Sequence, residues 1–210
     1  MEFCSLNQTQ MRLLDSAEQL FAEKGFDAVS VRDITQAAEA NVAAVNYHFG
    51  GKENLINAVM GRHAMPINAE RIRRLDFLLG REEQPTVREV VDAFLRPMIE
   101  KILEQEGRQQ LFAKFIGRMM GEGTCGLPSE VLPHFQEMAR KVVTGFQAAV
   151  PTLSEEQAYL RLKFCFAVMA DAMMRGEAFV QISEGRLVDS WNWEDCFEEV
   201  LDFCVGGLKG

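Results

Sequence analysis

The sequence predicts an all-α chain with a small three-helix head and a larger helical body. Three observations predict it: apolar residues recur at three and four positions, no segment sustains the alternation of a strand, and the breaks carry helix start and stop signals. Leu13, Ala17, Leu20 and Phe21 mark a first helix, which Gly25 closes with a left-handed cap. Ser30 and Asp33 make a capping-box-like pair that opens a second helix with Val31, Ile34 and Ala38 on its inner face. Glu39 and Ala40 turn the chain, Asn41 caps a third helix, and Val42, Val45 and Phe49 face inward. A fourth helix starts near Gly51 and Lys52 and runs through Leu55, Ile56 and Val59 to Pro66. Because proline removes an internal hydrogen bond, the helix is expected to bend or restart there, before the charged stretch from Glu70 to Arg74, and to form a hinge.

The body follows the same logic. Gly80 to Pro85 is a loop, Thr86 and Glu89 cap a fifth helix to about Gln105, and a further helix covers about Arg108 to Met120. The run from Gly121 to Pro128, rich in glycine, is a loop, and Ser129 starts a helix that Pro151 ends after Val150. Ser154 with Gln157 caps a helix to about Phe179, and Asn192 with Asp195 caps the last one, to Val205 before two glycines. Neither a fixed-period repeat nor a linker long enough to separate autonomous domains is present. The division expected is a head at residues 1–51 and a body at 52–210.

Within the head, the two helices from Ser30 to Phe49 and the tight turn between them have the layout of a helix-turn-helix. With Val45 and Phe49 inside, Ala43, Ala44, Asn46 and Tyr47 point outward. Two small side chains let a helix backbone approach the floor of the major groove, an amide pairs with a base edge, and a phenol reaches a phosphate. Residues 10–60, and above all AAVNYHFGGKENL with LLDSAEQLFAEKGFDAVSVRDI upstream, resemble the DNA-binding domain of the tetracycline-repressor (TetR) family of bacterial regulators. Tyr47, His48, Phe49 and Lys52 stand where that family ends its recognition helix and opens its fourth helix. Two features depart from the family pattern. Glu39 occupies a turn position where the family usually has glycine, and the tyrosine of Val45-Asn46-Tyr47-His48-Phe49 sits one place later than in the commoner ending. This variant, with FQAAVPTLSEEQAYLRLKF later in the chain, is similar to a branch of fatty-acid-responsive repressors of β-oxidation genes.

The resemblance implies a repressor that holds double-stranded operator DNA as a homodimer and leaves it when a small hydrophobic effector, fatty-acyl by similarity to that branch, binds the body. Base reading is expected of Ala43, Ala44 and Asn46, and backbone contact of Ser30, Tyr47, His48 and Lys52, with Arg32, Asn41 and Val42 completing the DNA-contacting set. An effector cavity in the body would be lined by Met60, Phe77, Met98, Phe112, Phe115, Met119, Phe146, Phe166 and Met169. Taken singly, each of these is more often plain core. Arg118, His134 and Arg161 are the polar groups nearest in sequence, able to hold a carboxylate or acyl-thioester head. The family's four-helix dimer interface would use Phe164, Ala167, Val168 and Ala172 with Phe197, Val200, Leu201 and Cys204, while Trp191 and Trp193 cover it or staple the last helix.

Charge runs against this reading until it is located. The net charge of −9 opposes nucleic acid, since neutralised phosphates supply much of the affinity for DNA. Residues 1–81 carry nine Lys and Arg against ten Asp and Glu, and residues 82–210 carry thirteen against twenty-one, so the acid lies mostly in the body. Cations in the head are few, and salt-sensitive binding with modest nonspecific affinity is expected. The longest apolar helix is broken by charges, and no basic segment with an apolar run opens the chain, which fits a cytoplasmic protein and no membrane association. The five cysteines, at 4, 125, 165, 196 and 204, form no CxxC pair and read as reduced thiols. No trio of metal ligands and no catalytic set is visible, so neither a metal, a cofactor nor an enzyme activity is expected. Two rivals remain open: an activator on the same fold, and an apolar-ligand carrier or small hydrolase that keeps the head as a relic.

Overall fold

The computed structural model describes residues 6–121, 131–174, 177–186 and 192–209. Among them the chain forms ten helices and no strand. The head holds α1 (Gln8–Lys24), α2 (Val31–Ala37) and α3 (Val42–Phe49). Helix α1 begins at a capping box not anticipated from the sequence, in which Asn7 and Gln10 each accept the other's backbone N–H at 2.9 Å. Leu13, Leu14, Ala17 and Phe21 of α1 pack with Ile34 and Ala38 from the second helix segment and Val45 and Phe49 from α3. Val42 does not join them: as the first residue of α3 it lies 42% exposed, before the helix has rotated its apolar stripe onto the core. Gly25 has a positive φ of 87° but an extended ψ of 165°, so it ends α1 without the expected left-handed helical cap.

The turn between α2 and α3 is a Schellman motif. Ala40 N–H donates to the Thr35 carbonyl at 2.8 Å and Glu39 N–H to the Gln36 carbonyl at 3.3 Å. Glu39 occupies the left-handed position at φ 49°, where a side chain crowds its own carbonyl and glycine is favoured. The turn therefore keeps its shape without a glycine, at a conformational cost.

Helix α4 (Lys52–Leu79) runs unbroken for 28 residues through Pro66, so it does not restart there. Pro66 lies on an exposed side, where the carbonyl it deprives of a partner can reach solvent, while His63, Ala64, Ile67, Asn68 and Arg71 are buried around it. Packing on both sides of the proline outweighs the local preference to break. The rest of the body is α5 (Val87–Leu103), α6 (Gln109–Gly121), α7 (Leu132–Ala149), α8 (Glu155–Met174), α9 (Glu177–Ile182) and α10 (Trp193–Lys209). The expected helix to Phe179 is thus two described helices, α8 and α9. Helix α10 continues through Gly206 and Gly207, and Asn192 accepts from the Glu194 N–H at 3.0 Å rather than pairing with Asp195. Cys4, the loop with Cys125, the Ser129 helix start and Trp191 lie outside the described residues; Trp193 is buried.

In the body α4 packs on α5 and α7, α6 on α8, and α10 on α5 and α8. Two glycines let helices meet at backbone distance. A Cβ at Gly145 of α7 would lie 2.8 Å from Val90 of α5, and one at Gly117 of α6 would lie 3.0 Å from Met174 and 3.2 Å from the Ala170 carbonyl of α8. Arg96 of α5 lies over the Phe197 ring at 4.6 Å while pairing with Asp92 at 2.6 Å and Glu198 at 3.0 Å, fastening α10 to α5.

Head and body meet at one aromatic and ionic junction. Phe26, just past α1, has its ring 5.0 Å from that of Phe21 and 6.2 Å from that of Phe115 on α6. His63 of α4 stands edge-on to Phe112 at 4.9 Å and Phe115 at 5.5 Å, and its Nε2 is 2.7 Å from a Glu18 carboxylate oxygen on α1. An ionised carboxylate only accepts, so Nε2 carries the proton. Burial pushes the Glu18 carboxyl up, but the His63 hydrogen bond and the charges of His63 and Arg62 outweigh it and hold it below the ordinary range. Arg62 adds an ion pair to Asp15 at 2.5 Å. His63 is therefore a structural residue joining three helices.

Two stability outcomes follow from the packing. Gly145→Ala should lose about 1–3 kcal/mol in urea unfolding, because Val90 is fully buried and cannot withdraw from the added methyl. Glu39→Gly should gain roughly 0.5–1 kcal/mol and Glu39→Val should lose stability, an order of urea midpoints that no change in contacts would produce.

Candidate nucleic-acid interface

The outward surface of the head is set by three consecutive helix starts. At α2, the Ser30 hydroxyl donates to the Asp33 carboxylate at 2.6 Å and accepts the Asp33 N–H at 3.2 Å, while Ser30 N–H donates to the same carboxylate at 2.8 Å. These bonds, from the Ser30 side chain and then its backbone, hold the Asp33 carboxyl below its ordinary range. The Ser30 proton is used inside this box, so its first role is to start the helix. At α3, Asn41 accepts the Ala43 N–H at 2.9 Å. At α4 no side chain caps the first turn: Gly51 is the capping residue, and Lys52 follows with the free amides.

Two glycines carry the chain from α3 into α4. Gly50 is left-handed at φ 77° and returns its N–H to the Asn46 carbonyl at 2.9 Å, and Gly51 has φ 139°. A Cβ at Gly50 would stand 3.1 Å from the Asn54 side chain. The sharp connection sets the uncapped start of α4 beside the end of α3, where an anion would meet Lys52 and helix amides together.

Between these starts, Arg32, Asn41, Val42, Ala43, Asn46 and Tyr47 are exposed, with Tyr47 at 85%. The Tyr47 ring is steadied by His48, whose ring meets it edge-on at 4.9 Å and meets Phe49 at 6.4 Å. His48 and Lys52 are half-buried, and Ala44 is half-buried against the head core, so it is less open than the sequence implies. The arrangement is a short helix with a flat, small-residue face, an amide and a phenol outside, and a rigid apolar back.

In the body, the sequence-predicted cavity residues separate into three places. Met98, Phe112, Phe115, Phe146 and Met169 are buried, and Met60, Arg118, Met119 and Phe166 half-buried. Phe77 is 69% exposed on the outer side of α4, in a surface groove with Arg73, Arg74 and Asp92, and lines no interior. His134 is exposed on α7. Arg161 donates to the Leu208 carbonyl at 2.5 Å, at the far edge of the α8–α10 face, away from the rings it was expected to accompany.

The expected interface residues also divide. Phe197, Val200, Leu201 and Cys204 face inward, buried against α5 and α8, because the apolar stripe of α10 is spent on its own subunit. Outward are Phe164 at 58%, Ala167 and half-buried Val168 and Ala172 on α8, joined by Phe203 at 69% on α10, which the sequence reading missed. Phe203 sits one residue from an inward position, and only the packed helix tells the two faces apart. Phe164, Ala167, Val168 and Phe203 border a groove of about 370 Å³ that also holds the neighbouring thiols of Cys165 and Cys204. Cys204 and burial push the Cys165 thiol up.

Models of known families match both parts of the chain: "Bacterial regulatory proteins, tetR family" over residues 13–59, and "Tetracyclin repressor-like, C-terminal domain" over residues 92–207. The HTH-type transcriptional dual regulator CecR of Shigella flexneri is 34% identical over 118 residues, 53% of this chain and 51% of that protein, so the chain spans about half the length of this curated relative. A TetR-like transcriptional regulator from Rhodococcus sp. RHA1 shares the fold at a TM-score of 0.62 and 14% identity, over 98% of this chain and 100% of that one. The SmeT–triclosan complex shares it at 0.56 and 17%, over 96% and 91%. With a helix-turn-helix head and a C-terminal body that each match, the chain belongs to the TetR family of bacterial transcriptional regulators.

Proposed function

We propose that the chain is a cytoplasmic repressor that grips a palindromic operator as a homodimer and is released when a small hydrophobic effector, of acyl type on the sequence resemblance, enters the body. The observation that carries the DNA reading is the outer face of α3, with Tyr47 and Asn46 projecting beside the uncapped start of α4 at Lys52. In this reading Ala43 and Ala44 admit the helix to the groove, Asn46 reads a base edge, and Tyr47, His48, Lys52, Arg32 and Ser30 meet the sugar-phosphate strands, with Asn41 and Val42 at the helix start. A dimer is favoured by the exposed phenylalanines of α8 and α10, since one head reads half an operator and two must sit about 34–36 Å apart to read both halves. An effector is favoured by the fold neighbour SmeT, recorded in complex with triclosan. Its leverage must be differential, binding one head spacing better than the other.

In a gel shift on the operator, Asn46→Ala should cost about 1–3 kcal/mol and relax preference at one base pair, whereas Lys52→Ala should weaken all sequences alike and reduce the salt slope by about 1. Unchanged retention by the Tyr47→Ala, Lys52→Ala double variant would remove the DNA role of these positions.

Phe164→Asp with Phe203→Asp should yield monomers in light scattering, with helical content retained, because each side chain is exposed in the subunit and a charge there costs nothing until two faces meet. Dimers that persist in this double variant would place the interface elsewhere.

A further inference from the structure

Among the described residues Arg71 is the one buried arginine, at 2% exposure, and no carboxylate answers it. It projects from α4 into the body between α5 and α8. Its Nε donates to the Phe94 carbonyl at 2.7 Å and its Nη1 to Asn68 Oδ1 at 2.9 Å, and its guanidinium lies 4.7 Å from the Phe94 ring and 5.6 Å from that of Phe166. The third nitrogen, Nη2, has no hydrogen-bond partner, and neither has Asn68 Nδ2. Since a guanidinium only donates, the bond from Nη1 fixes which end of the Asn68 amide is oxygen and leaves its NH₂ facing elsewhere as a donor. Burial alone lowers the Arg71 pKa to about 9, so the group remains charged at neutral pH.

Buried polar atoms are nearly always satisfied, and a buried charge nearly always has an opposite charge. Here two donors on hydrogen-bonded neighbours are orphaned beside an uncompensated positive charge. A single anionic group with two acceptor oxygens removes all three deficits at once. What surrounds it is apolar and yielding: the Phe94 and Phe166 rings meet edge-on at 4.8 Å, and one turn along the same helix faces lie buried Met98 and Met169, flexible thioethers that shift to admit an irregular guest.

We propose that Arg71 and Asn68 form the head-group site for a monocarboxylate with an apolar body, the carboxylate taking Arg71 Nη2 and Asn68 Nδ2 and the apolar part lying along Phe94, Phe166, Met98 and Met169. A neutral ester or thioester leaves the charge unanswered, which assigns the site to the free acid. This rests on the effector-controlled reading above and names the class of effector. Arg71 lies on the same unbroken helix as Lys52 and His63, so displacement of its side chain acts on the element that carries the head.

Isothermal titration of the full-length protein with octanoate, dodecanoate, hexadecanoate and naphthoate, each beside the alcohol of the same skeleton, reads the site without DNA. At least one acid should bind about tenfold or more tightly than its alcohol, a ratio typical of one charge-assisted hydrogen bond. Arg71→Met, checked for a cooperative melt, should lose that ratio; should it fail to fold, Asn68→Ala, which removes one donor, should reduce it. Equal binding of acid and alcohol, no acid bound, or an undiminished ratio in the folded variant overturns the proposal. The same acid is then added to the wild-type protein on its operator: release supports both readings, while acid binding without release leaves the carboxylate site standing and sinks the effector-controlled one.

Discussion

Helix α4 stays helical through Pro66, and the rest of the molecule depends on that. An interior proline costs a helix about 3 kcal/mol, so the segment stays helical only because neighbours hold it on both sides. Before the proline, His63 is clamped between Glu18 and the Phe112–Phe115 pair; after it, Arg71 is anchored to the Phe94 carbonyl. One rod of about 42 Å therefore begins beside the recognition helix and runs along the body. A broken rod would let the two ends move independently. A continuous one does not.

The head–body junction gives that rod its direction of action. Phe26 and His63 both press on α6, and α6 packs most closely against α8, the helix whose outer face carries Phe164. The surface that would touch DNA and the surface that would touch a second subunit are thus linked through two packed interfaces, with no flexible linker among the described residues between them. The acidic balance of the body belongs to the same division: it disfavours the approach of a polyanion there, so attraction rests on the few cations of the head.

What the sequence disclosed was local. Capping pairs at Ser30 and Asp33, Thr86 and Glu89, and Ser154 and Gln157 stand as read, because each is settled within four residues. The helix-turn-helix was legible for the same reason. What escaped was set by partners far along the chain. Arg71 read only as part of the charged stretch from Glu70 to Arg74, yet it occupies the stripe of Ala64, Ile67, Leu75 and Leu78, and that spacing was the available sign. The inward turn of Phe197 to Cys204 and the exposure of Phe77 and Phe203 depend on which side of a helix its neighbours cover, which composition does not encode. Glu39 showed the opposite case: a departure from the family's usual residue that leaves the turn geometry intact.

Gly117 has a mechanical consequence. With no side chain there, the α6 backbone comes close to the Ala170 carbonyl and the Met174 thioether, leaving little material between the two rods. Such a contact resists squeezing but permits sliding along the groove, so a push delivered at the head would emerge at the opposite flank as translation, in the manner of a piston. A methyl at this position would act as a spacer and turn part of that stroke into strain.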